Sequence, residues 1–232
     1  MLDPNFPNRL LRSGDQRTME FIHFLFEDYS NRGLTGKTDR AVATSGLEAR
    51  IARTLSCQSR YGIFERYLHR NLLWQASDNK MERIVYKNRN VVSWSWMAYN
   101  GGIQFMDIPF GTVDWINNLR FDKEREPALI TDIGEFRDCT MKPNGKRYVV
   151  LDVDGKKRGW IQYDVEEGED LCNERCVVAG KKPSKDEDRL DVKEYYILVI
   201  RPTSVDSEYK RVGVGLIQSD YVVRQRFNVR VM

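Results

Sequence analysis

Apolar positions recur at three- and four-residue spacing through the first 75 residues, then at two-residue spacing beyond about residue 80. Met19, Ile22, Phe26 and Tyr29 lie one helical turn apart, and Phe21 and Leu25 widen the same face. That period predicts an amphipathic helix. Ser13 and Gln16 stand at the spacing of a capping box, which satisfies free N–H groups at a helix start. Gly33, after Asn31-Arg32, is placed to stop the helix. A second helix is expected from Thr38-Asp39, with Ala43, Leu47, Ile51 and Leu55 on its inner face and Gly46 permitting close approach of another element. A third is expected over Phe64, Tyr67, Leu68, Asn71 and Leu72, ending near Trp74. Three amphipathic helices on short connections make an α-hairpin-type subdomain over residues 1–80.

Residues 81–232 read as β-rich. Val91–Trp96 and Ile103–Met106 are expected as strands around an Asn100-Gly101-Gly102 turn. Val149–Val153 and Arg158–Tyr163 flank Asp154-Gly155, the strongest hairpin signal in the chain. Glu194–Arg201, Arg211–Ile217 and Arg226–Val231 follow as strands, the last with Phe227, Val229 and Val231 on one side. Glu166–Asp170 is an acidic loop by composition, and the charged run Lys181–Asp191 reads as a mobile one. No internal repeat occurs. Helices first and strands later is the order of an α+β fold, a helical N-terminal subdomain packed on a β-rich part.

Composition narrows the function classes. The 232 residues are 41% hydrophobic and 31% charged, the balance of a globular chain rather than a disordered one. No apolar run approaches a membrane span. The N-terminus shows no signal peptide and the C-terminus no lipidation motif, so a cytoplasmic protein is expected. The net charge of +3 comes with both signs interleaved, without the basic stripe of a nucleic-acid binder. The cysteines Cys57, Cys139, Cys172 and Cys176 form no evenly spaced framework, as expected in a reducing compartment.

Candidate chemistry is sparse. Gly36-Lys37-Thr38 ends like a P-loop, but Asn31 stands where the first glycine is needed, and the preceding segment reads as helix. Gly213-Val214-Gly215 lies in a strand pattern, where glycines mark a bulge or close packing more often than a phosphate site. Cys172 and Cys176 have the spacing of half a zinc site without a second half, and read as loop thiols. His23 and His69 read as partly exposed helix residues, and a Cys57–His69 pair has nothing beyond co-occurrence behind it. The adjacent carboxylates Glu27-Asp28 and Glu166-Glu167 read as solvated. In Ser93-Trp94-Ser95-Trp96, a strand places both indoles on one face, which is a core more readily than a ligand platform. No catalytic residue, cofactor site or metal site is assigned.

Several segments together resemble the region downstream of the HET domain in fungal heterokaryon-incompatibility proteins. They are Phe26-Glu27-Asp28-Tyr29-Ser30-Asn31-Arg32-Gly33-Leu34-Thr35, Thr38-Asp39-Arg40 with Thr44-Ser45-Gly46-Leu47, Tyr61-Gly62, Leu72-Leu73-Trp74, and Ser93 to Gly101. Tyr209 to Gly215 is similar to the family's closing strand. Val92 replaces the family's proline, and Met97 its alanine. The motifs of the HET domain itself, which is TIR-like and carries the cell-death activity, find no place on the chain. The resemblance implies a non-catalytic accessory or regulatory region acting in allorecognition and programmed cell death. It also implies a protein partner or an upstream HET domain, and either a short natural product or a truncated gene. The alternatives are a stand-alone β-rich binding module with the tryptophans as anchor, and an enzyme whose site forms only in three dimensions.

Overall fold

A computed structural model describes residues 10, 12–32, 36–77, 81–87, 91–116, 118–124, 127–165, 170–183 and 193–232. The protein is α+β, with two compact units. One comprises Met1–Val91 and Ser95–Phe105, the other Val92–Trp94 and Met106–Met232. The first unit thus extends past residue 80 and takes in a second piece of chain after Trp94.

The first unit is built on α1 (Gly14–Asn31) and α2 (Arg40–Leu55). Then come β1 (Ser59–Arg60), β2 (Ile63–Phe64), the single turn α3 (Leu68–Asn71), β3 (Trp74–Ala76), β4 (Glu82–Arg83), β5 (Tyr99–Asn100) and β6 (Ile103–Phe105). The strands pair antiparallel two by two: β1 with β2, β3 with β6, β4 with β5. Ile22 and Phe26 of α1, Ile51 of α2, and Phe64, Leu72, Leu73 and Trp74 are fully buried. Helix α1 also completes the backbone of β6. Ser30 Oγ accepts from Ile103 N at 2.9 Å and Glu27 Oε1 from Phe105 N at 2.7 Å, so alternate N–H groups of the strand end on helix side chains.

Several expectations for this unit are corrected. Ser13 holds the N-cap position without a side-chain capping bond, and Gln16 bonds Glu20 instead. Gly33 lies outside the described residues. The buried stripe of α2 is Ala41, Thr44, Glu48, Ile51 and Leu55, so Ala43 faces out, and nothing approaches Gly46. The third helix is one turn, because Ile63–Phe64 is a strand and Glu65–Tyr67 a 3-10 turn that places the same apolar residues inward. Val91–Trp96 is no strand: turns at Ser93-Trp94 lead into a 3-10 turn at Trp96–Ala98. The chain changes unit between Trp94 and Ser95, so the two indoles share no sheet face.

The second unit contains β7 (Asp114–Trp115), β8 (Arg120–Phe121), β9 (Leu129–Phe136), β10 (Cys139–Asn144), β11 (Arg147–Asp152), β12 (Lys157–Tyr163), β13 (Arg175–Pro183), β14 (Lys193–Pro202), β15 (Glu208–Gln218) and β16 (Val222–Val231). They form one sheet in the order β10-β11-β12-β15-β14-β13-β9-β16, with β7 on β13 and β8 on β9. Strand β16 also pairs parallel with the start of β15, so five strands close on themselves and β10–β12 extend from the ring. The expected hairpin is present, with Gly155 at φ +76° in its turn. The sheet core joins Val150, Ile161, Cys176, Val178, Ile197, Val199 and Ile217. The alternation expected of the last strand breaks at a register shift between Gln225 and Val229. Val229 and Val231 are buried and Phe227 is exposed. Strands β7, β8, β9, β10 and β13 come in addition to the expected set. Lys181–Pro183 belong to β13, and residues 184–191 of the expected loop, like Glu166 and Glu167, lie outside the described residues.

Candidate functional site

The residues singled out in sequence scatter. Lys37 sits in a 3-10 turn after α1 and pairs with Glu82 at 2.9 Å in the open. Among the described residues the element that precedes it is the helix α1. Gly213 and Gly215 lie in β15 against β12, where a Cβ would meet the carbonyl oxygens of Gln162 and Trp160, each at 2.5 Å. They serve close strand packing, as expected from their place in a strand. Cys176 is not a loop thiol. It lies in β13 with no exposed surface, and burial pushes its pKa up to about 12. Cys172 is exposed, and Cys139, half-buried, is pushed up by burial to about 11. Raised thiols are poor nucleophiles at neutral pH. Among the described residues, no group of three His, Cys, Asp or Glu could hold a metal ion.

His23 stacks on Phe105 with ring centroids 3.8 Å apart. Burial, then the nearby Arg70, holds its pKa down at about 3. Cys57 is half-buried beside Glu65 and Arg66, its pKa raised by burial. Glu27 is not merely solvated, since it accepts the Phe105 N–H, whereas Asp28 is exposed and pairs with Arg32.

Two polar clusters escape a reading of sequence alone. In the first unit, Arg40 is buried with its guanidinium 5.0 Å from the Trp96 ring centroid. Its Nη2 donates to Gly101 O at 3.0 Å. Burial lowers its pKa to about 10, so it stays charged at neutral pH. Phe26 and Tyr29 complete the aromatic surround of Trp96, and Gly62, at φ +77°, leaves room for the indole edge. In the second unit, Arg211 and Asp164 form a buried two-pronged ion pair with both bonds at 2.9 Å. The Arg211 N–H donates to Ser93 Oγ, whose hydroxyl donates to Met232 O. Both clusters hold the chain in place. Trp94 and Trp96 have no exposed surface, which removes the exposed indoles a ligand platform would require.

A cavity of about 140 Å³ in the first unit is lined by Leu10, Thr18, Leu55, Asp15, Arg66 and Tyr67. Asp15 accepts from Tyr67 Oη at 2.8 Å and Arg66 Nε at 3.1 Å. The carboxylate is already compensated. Tyr67 is pushed up to about 12, chiefly by burial and then by Asp15, so its hydroxyl holds its proton.

The outward side of α1 is different. Phe24 is 65% exposed and Phe21 37%, three residues apart on the same side of a helix whose other side buries Met19, Ile22 and Phe26. Sequence reasoning counted Phe21 with the core. The signal it lacked is that two apolar residues beside a full buried stripe exceed what one partner face can cover. Arg17, Glu20 and Asp28 surround them in the open.

No helix among the described residues is long and apolar enough to cross a membrane. The chain matches no family model, no curated protein and no solved structure.

Proposed function

We propose that the chain is a non-catalytic accessory or regulatory region of a fungal heterokaryon-incompatibility-type protein, cytoplasmic, and acting by contact in allorecognition and programmed cell death. The observation that carries this reading is the Phe21–Phe24 face of α1. A largely exposed Phe24 with the partly exposed Phe21 beside it on a well-anchored helix suits a contact surface. Because α1 begins at Gly14, a domain fused ahead of the chain would be tethered by few residues to that face. The effective concentration would then favour docking in cis. The segments that carry the family resemblance fit a supporting role. Tyr29, Ser30, Thr44, Leu72, Leu73, Trp74 and Trp96 build the first unit rather than line a reactive cleft.

The test is expression of residues 1–232 in fungal cells beside the same chain fused behind a HET domain. The short chain is expected to be inert, and Phe24→Glu in the fusion to change the death response without changing the chain's thermal midpoint. Death or NAD depletion from the short chain alone refutes the reading.

A further inference from the structure

Strands β10–β12 extend from the closed ring, and their two faces differ. Val150 and Ile161 point into the core with no exposed surface. Residues directly paired across an antiparallel ladder share a face. Val149 pairs with Trp160, Trp160 with Leu216, and Thr140 with Leu151, so Val149, Leu151, Trp160 and Leu216 line the face opposite the core. All four are only half-buried. The same register puts Lys142 opposite Val149, Lys157 opposite Leu151, and Arg147 opposite Asn144. These three cations are exposed. The only carboxylate in β10–β12 is Asp152, which is buried and bonded to Arg158 at 2.7 Å. Within β10–β12 the outer face is therefore an apolar strip with cations along it and no acid; Glu194, which the register places further along that face on β14, is paired with Lys182 at 3.5 Å.

We infer that this face docks an extended, acidic segment of a partner protein, with aliphatic side chains on the Val149–Trp160–Leu216 row and carboxylates on Lys142, Arg147 and Lys157. Charge complementarity selects an acidic partner. A single-stranded nucleic acid would need bare aromatic rings to stack on. Here the Arg147 guanidinium already lies 3.8 Å from the Trp160 centroid, and its Nε is tied to Gln162 Oε1 at 3.4 Å. The remaining strip residues are aliphatic. Addition of a strand to the outer edge of β10 is disfavoured, because Pro143 offers no N–H there. The segment lies across the face instead. This inference does not depend on the reading of α1 above.

The experiment is a binding titration of the full chain, followed by fluorescence anisotropy. The probes are a labelled alternating Glu-Leu peptide, the matching Lys-Leu peptide and an oligothymidine. The Glu-Leu peptide is expected to bind saturably and the Lys-Leu peptide not to bind. Raising salt from about 50 mM to about 300 mM is expected to weaken binding roughly tenfold, as screening predicts. The exposed pair Lys142→Glu/Lys157→Glu should abolish binding with an unchanged thermal midpoint. No saturable binding of the Glu-Leu peptide, undiminished binding in the double variant, or tighter binding of oligothymidine overturns the inference.

Discussion

The side-chain amide of Asn71 donates to Nε2 of His23 at 3.0 Å. The direction is fixed by the other end of the amide, where Oδ1 accepts the Phe64 N–H at 3.1 Å. The Asn71 nitrogen must face the imidazole and can only donate, so Nε2 must accept and His23 is neutral. Protonation would set two donors against each other beneath the Phe105 ring, beside Arg70.

That arrangement gives a pH dependence with a definite sign. The His23 pKa is about 3 when folded, against an ordinary 6.5. As pH falls through 6.5 the unfolded chain takes up a proton that the folded chain refuses. Stability contributed by the neutral ring is complete above that pH and is lost progressively toward pH 3, by at most about 1.4 kcal/mol per pH unit. Glu48, raised by burial, acts in the opposite sense. The expected result of urea unfolding at pH 7 and pH 5 is a larger loss for wild type than for His23→Gln. Equal losses would remove His23 as the cause.

The two tryptophans make separable predictions. Trp96 packs on Phe26 at 5.2 Å, with Arg40 over its ring. Trp94 packs near Phe121 at 6.0 Å, in the other unit. Replacing either with Ala should cost about 3–5 kcal/mol. Hydrogen exchange should show Trp96→Ala loosening α1 and α2 first, and Trp94→Ala loosening β8 and β9 first. An unchanged thermal midpoint in either variant contradicts the core assignment.

The same pair shows where sequence reading stops. Period-2 spacing of Trp94 and Trp96 imitates a strand, but the alternation arises because the chain passes from one unit to another between them. Periodicity reports burial, not which core does the burying. A marked turn made the Asp154-Gly155 hairpin legible, and β14 was legible from its long apolar run Tyr195–Ile200, although Tyr196–Ile200 are buried on both faces. Strand β10 was not, since Lys142, Pro143 and Asn144 on an exposed edge carry no apolar signal. Strand β13 was hidden differently. Cys176 to Ala179 are buried without alternation, and that apolar run is shorter than the one in β14 and ends at Gly180. The exposure of Phe24 and Phe21 was illegible because hydropathy alone does not say which side of an apolar helix faces water.

Arg211 and Asp164 should behave as a unit. Burial pushes the Asp164 pKa up, and the guanidinium's two hydrogen bonds oppose that. Arg211→Met strands a buried carboxyl and should cost about 3–5 kcal/mol. Adding Asp164→Leu should recover most of the loss, because an apolar pair leaves no buried charge. Guanidinium unfolding of the two variants decides the matter. A double variant no better than the single would show that lost packing of the buried Arg211 side chain, rather than a stranded carboxyl, causes the destabilisation.

Two glycines should respond with opposite sign to the same substitution. Gly46 lies within α2, and a Cβ added there meets nothing within 4 Å. Ala removes the backbone entropy cost of glycine in a helix, so Gly46→Ala should stabilise by up to about 1 kcal/mol. Gly215 pairs with Ile161, and its Cβ would meet the Trp160 carbonyl oxygen at 2.5 Å and Ile161 Cγ1 at 3.1 Å. The oxygen belongs to the backbone of β12 and cannot yield without parting the two strands. Gly215→Ala should therefore destabilise by about 1–3 kcal/mol, the usual cost of overpacking. Because β12 carries Trp160, the change should also disturb the outer face of β10–β12. Thermal midpoints of the two variants measured side by side give the test, with Gly46→Ala expected above wild type and Gly215→Ala below. A Gly215→Ala midpoint equal to wild type would mean that β12 and β15 sit further apart than the contact requires.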